Sequence, residues 1–108
     1  MELVEYLDEA GRSRFGEWFA ALNAAAAAKV AVALARIELG NLSNAKGVGQ
    51  GVLEYRIDFG PGYRLYFGRD GAQVVVLLCG GTKKRQSGDI EAARSMWLAY
   101  KARKKGAD

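Results

Sequence analysis

Two arginines, Arg56 and Arg64, fall within one short stretch, YRIDFGPGYRLYFGRDG (55–71), and a Lys83-Lys84-Arg85 run follows the next apolar segment. Guanidiniums on adjacent strands can take one phosphate between them and meet negative charge as it develops on phosphorus. Arginine stays protonated, so it serves as a clamp rather than a base. Lys83 could move a proton if neighbouring cations lower its pKa, and Glu54 is the other candidate base. Tyr66 beside them offers an aromatic platform. Cationic surfaces bearing aromatics suit nucleic acid, because phosphates take the charge and bases stack on rings. The plainer alternative is a solvated outer face, with Arg56 and Arg64 paired to Glu54 and Asp58 in ion pairs that contribute little.

No histidine occurs anywhere in the 108 residues. That excludes histidine acid–base catalysis, Ser-His and Cys-His nucleophiles and histidine metal ligands. Gly60-Pro61-Gly62 and Gly80-Gly81 lack the spacing and helix context of phosphate-binding loops, so neither cofactor nor metal is expected. The single cysteine, Cys79, permits no internal disulfide and fits a reducing cytoplasm. It ends an apolar run and reads as a packing residue. The opening MELVEYLDEAG carries acids where a signal peptide carries bases, and no apolar run reaches membrane-spanning length. Charge is uneven: residues 1–54 carry a net −2 and residues 55–108 a net +6. A basic half on a small chain suggests a polyanionic partner.

The elements that must position these groups emerge from periodicity. Residues 2–7 alternate as a short strand, and Asp8 is placed to cap the first helix. Phe15, Trp18, Phe19 and Leu22 recur on one helical face. Asn23 opens an alanine-rich helix carrying Val30, Leu34 and Ile37 and stopping at Gly40, so two helices form a hairpin. Residues 40–51 read as a loop, and three strands come next. In the first, Leu53, Tyr55, Ile57 and Phe59 share one face while Glu54, Arg56 and Asp58 share the other. In the second, Tyr63, Leu65 and Phe67 oppose Arg64 and Tyr66. The third, AQVVVLLC, is apolar on both faces. A last helix carries Ile90, Ala93, Trp97 and Tyr100 on one side and ends in Lys101, Arg103, Lys104 and Lys105, suited to a helix C-terminus or to RNA. Asp89 near its start suits the helix dipole. One α+β domain over residues 1–108 results, ordered β-α-α-β-β-β-α. A mainly antiparallel sheet packs on the helical hairpin, with the arginines on the uncovered side.

Residues 54–67 (EYRIDFGPGYRLYF) and 77–93 (LLCGGTKKRQSGDIEAA) resemble the RelE/ParE superfamily of bacterial toxins, and within it the HigB-like addiction module killer branch. The resemblance implies a RelE-like fold and the toxin of a type II toxin–antitoxin pair, an mRNA endonuclease acting on the ribosome. Its partners would be mRNA, the ribosome and a helix-turn-helix antitoxin. Carried over by position, Arg56 and Arg64 match basic residues of the family's strands, and Lys83 matches the one after the last strand. Lys46, Tyr66, Lys84, Arg85 and Gln86 would then position RNA. Thr82, Lys84 and Arg85 depart from the small or acidic residues usual around that lysine, and Ile90 stands near the position of a C-terminal tyrosine. The alternative within the fold is a ParE-like gyrase inhibitor without nuclease activity; a third is a module that binds RNA without cutting it.

Overall fold

The computed structural model describes residues 1–106. Strand β1 (Glu2–Glu5) leads into α1 (Arg14–Ala20) and α2 (Ala24–Glu38); then come β2 (Ala45–Gly47), β3 (Val52–Ile57), β4 (Tyr63–Asp70) and β5 (Val74–Thr82). A 3-10 turn (Lys83–Arg85) then enters α3 (Gln86–Gly106). The architecture is α+β. The five-stranded open sheet has the order β1-β5-β4-β3-β2, antiparallel except where β1 runs parallel to β5. No helix among the described residues is long and apolar enough to cross a membrane.

Local chemistry accounts for most boundaries. Asn23 caps α2, its side chain accepting the Ala26 N–H at 2.9 Å. Helix α1 is capped by Ser13, whose Oγ accepts the Gly16 N–H, not by Asp8 as expected. Asp8 instead folds its own loop, its carboxylate accepting the Ala10 and Arg12 N–H groups. Gly60 and Gly62 adopt φ of +56° and +77° and turn the chain from β3 into β4, a conformation costly for other residues. Within the expected 40–51 loop, Ala45–Gly47 adds a short strand. Its residues have no strand preference, and the pairing is imposed by the edge of β3, with Lys46 opposite Glu54.

Both faces of the sheet are covered. Against one lie α1 and α2, where Phe15, Val30, Ala33 and Ile37 pack on Tyr55, Leu65, Phe67, Val75 and Leu77. The other face, expected to be open, carries α3. Ala93 and Trp97 pack there with Val52, Tyr66, Val76, Leu78 and Cys79. The stripe Ile90, Ala93, Trp97 and Tyr100 specifies no sheet face by itself; the apolar Val76 and Leu78 on β5 supply the surface it needs.

A register shift sits opposite Tyr66 and Phe67, which pair with Cys79 and Leu77 and leave Leu78 as an extra residue. Leu78 and Cys79 therefore both face α3, and beyond them the strand is re-phased. Gly80 then meets the Trp18 indole on the α1 side and Gly81 meets the Asp89 carboxylate on the α3 side. A Cβ on Gly80 would stand 2.3 Å from the Trp18 ring. Gly80→Ala should destabilise the fold by about 1–3 kcal/mol, the cost of overpacking, read as a lowered urea midpoint.

The basic end of α3 is largely engaged within the chain. Arg103 stacks on Tyr6 and donates to the Leu7 carbonyl; Lys101 lies over Trp97. Lys104 and Tyr100 both donate to Asp70 at the end of β4. These bonds, that from Lys104 first, hold the Asp70 carboxyl below its ordinary 3.8. A depressed folded pKa gives stability that is present above the unfolded value and lost as pH falls through the folded one. Asp70→Asn should therefore lower Tm at pH 7, and the gap to wild type should close as the pH drops below 3.8.

Candidate nucleic-acid interface

The strand registers assemble the charged site. Arg56 lies directly opposite Arg64, and Glu54 opposite Tyr66 on one side and Lys46 on the other. Side chains of opposed residues leave the same face, so two arginines, a lysine and one carboxylate share a patch of sheet. Glu54 is its centre and is fully buried, at 0% exposure. Its carboxylate accepts from the Tyr66 hydroxyl (3.1 Å) and from Gln86 Nε2 (2.8 Å). Around it stand Arg56 Nε at 3.5 Å, Lys46 Nζ at 3.8 Å and Arg64 Nε at 3.9 Å. Three cations thus surround one anion, and two of them, Lys46 and Arg56, keep about half of their side chains in solvent.

Arg64 is the buried member, only 7% of its side chain exposed. Its Nη1 donates to the Gly62 carbonyl at 2.9 Å, and the same carbonyl accepts the Lys83 N–H at 2.8 Å. One backbone oxygen therefore ties the β3–β4 turn, Arg64 and the start of the Lys83–Arg85 turn together. Lys83, Lys84 and Arg85 are exposed at this corner. Glu54 Oε1 and Arg64 Nε have no hydrogen-bond partner among the described residues, so the cluster keeps one acceptor and one donor unspent.

Three expected roles sit poorly with where the side chains lie, those of Tyr66, Glu54 and Gln86. Tyr66 is not a surface platform: it is fully buried under α3. Desolvation first, then the Glu54 charge and their hydrogen bond, push its pKa far above the ordinary tyrosine range. Glu54, expected as a candidate base, is enclosed at 0% exposure. Gln86 points inward to Glu54 rather than outward to a ligand. Lys46, Arg56, Lys83, Lys84 and Arg85 present surface, and Arg64 lies at their floor. Cys79 is buried against α3, and desolvation pushes its thiol up to about 12. The described residues contain no cluster of metal-ligating side chains. Asp89 does lie in the first turn of α3, as expected of a dipole partner, and is in addition held against Gly81 and near Arg14, a placement no local pattern discloses.

The five-stranded, mainly antiparallel open sheet with its three helices is consistent with a RelE-like α+β fold. The chain belongs to the family described as Phage derived protein Gp49-like (DUF891), which matches residues 17–104 and is related to RelE/HigB-like toxins. It is also similar to an uncharacterised protein of Haemophilus influenzae, 41% identical over 81 residues that cover 74% of this chain and 82% of the relative.

Proposed function

We propose that this chain is the HigB-like toxin of a type II toxin–antitoxin pair and cleaves mRNA on the ribosome, in the cytoplasm. The observation that carries the reading is Arg56 directly opposite Arg64, with Lys83 tied through Gly62 to the same corner. In such cleavage the 2′-oxygen forms a bond to the adjacent phosphorus while the bond to the 5′-oxygen breaks. A base takes the 2′ proton and an acid returns one to the leaving oxygen. Arg56 and Arg64 would hold the non-bridging oxygens as charge accumulates, and Lys83, exposed at the same corner, would move protons. Lys46, Lys84 and Arg85 would steer the backbone. Glu54 would act through the arginines, fixing two like charges that otherwise repel across the strand pair.

The antitoxin, a helix-turn-helix protein on this reading, would mask the basic corner. Cell-free translation followed by primer extension tests the assignment. Cuts that require ribosomes support it; intact mRNA with loss of DNA supercoiling would instead establish a gyrase inhibitor, and binding without cutting an RNA-binding module.

A further inference from the structure

Strand β1 pairs with β5 only as far as Leu77, so the last five of its nine residues, Leu78–Thr82, have no strand beside them on that side. A cleft of about 430 Å³ opens there, between α1 and the start of α3, a volume in the range of small-molecule sites. Arg14, Trp18, Thr82, Arg85 and Asp89 line it, together with Glu17. Glu17 is occupied by two hydrogen bonds from Arg12. Asp89 is not: it is 7% exposed, its Oδ2 is sealed against Gly81, and its Oδ1 makes no hydrogen bond among the described residues, Arg14 Nη2 standing 3.6 Å away, beyond hydrogen-bond reach. Burial raises its pKa, against the pull of Arg14 and Arg85. A carboxylate whose Oδ1 is left without a hydrogen bond, between two guanidiniums and beside an indole, is built for a ligand offering N–H donors on one edge and acceptors on another.

Guanine is the base with that pattern. Its N1–H and N2 amino group suit a carboxylate, and its O6 and N7 suit arginine, while any base can stack on tryptophan. The cleft adjoins the proposed cleavage site through Thr82–Lys83, and Gly81 pairs with Arg64. We propose that it is a second nucleotide subsite, in which Asp89 reads a guanine next to the phosphate held by Arg56, Arg64 and Lys83. The assignment rests on the nuclease reading for the presence of RNA, and on the cleft itself for the base.

Amide and indole NMR of the full chain, titrated with GMP, AMP, CMP, UMP and ribose 5-phosphate, tests it. GMP should shift the Trp18 indole signal, identified with Trp18→Phe, at roughly millimolar concentration, about tenfold tighter than the other nucleotides, while the buried Trp97 signal stays still. Asp89→Asn should erase the guanine preference. Arg14→Gln, a change at an exposed residue that spares folding, should weaken GMP several-fold. A Trp18 signal unmoved by every nucleotide, or moved as far by ribose 5-phosphate as by GMP, overturns the subsite. Protein that binds GMP here yet cuts no mRNA keeps the subsite and sinks the nuclease reading; protein that cuts mRNA with Trp18 unmoved does the reverse.

Discussion

Arg64→Ala should reduce mRNA cleavage by about 10²–10³-fold, the loss seen when one preorganised donor to a developing oxyanion is removed. Arrest of growth on expression should be relieved. Arg64 has the larger expected effect of the two arginines because it is the fixed one: buried, bonded to Gly62 and flanked by Glu54, it needs no reorganisation when charge appears. Arg56, half in solvent, gives up some of its contribution to water. Alanine also leaves a void, so thermal melts must accompany the assay. Arg64→Lys fills the space and keeps the charge but loses the planar fork, and should recover only part of the rate. A folded Arg64→Ala protein as toxic as the wild type would remove the residue from the mechanism.

Glu54→Gln is expected to weaken both stability and rate. Glutamine preserves the shape and can still bond Tyr66 and Gln86, but it removes the one anion among Lys46, Arg56 and Arg64. Breaking a buried charge cluster from one side leaves uncompensated cations, at a cost of about 3 kcal/mol, lower for the partners that reach solvent. Added salt should restore part of the stability by screening the Arg56–Arg64 repulsion. Cleavage should fall mainly in kcat, with the pH–rate profile lowered but unchanged in shape. Loss of its limb at low pH would instead mark Glu54 as the base. A variant matching wild type in both melting and rate would show that the carboxylate positions nothing.

Strand alternation alone makes the placement of Arg56 and Arg64 legible. Tyr55, Ile57, Leu65 and Phe67 do face the helical hairpin, and the two arginines do leave the other side. What alternation cannot say is whether that other side meets water. Whether α3 covers it depends on pairings between Trp97 and residues such as Val52 and Leu78, distant in sequence. Alternation therefore assigns Tyr66 and Glu54 to the surface, though the sheet and α3 enclose them. Lys46 is legible as a cation but not as Glu54's opposite number, because β2 is defined by the neighbour it pairs with rather than by its own composition. The Arg14–Asp89 approach joins two helices 75 positions apart and leaves no local trace.

The additional residue at Leu78 has a consequence for how this chain can change over generations. On either side of it the same strand answers to opposite layers, so losing or gaining one position in β5 would exchange the neighbours of Gly80 and Gly81 and turn Thr82, with the basic corner behind it, toward the wrong helix. Lengthening is tolerable there only in pairs. Single insertions and deletions among descendants of this sequence should accumulate in residues 40–44, and be nearly absent between Leu77 and Lys83.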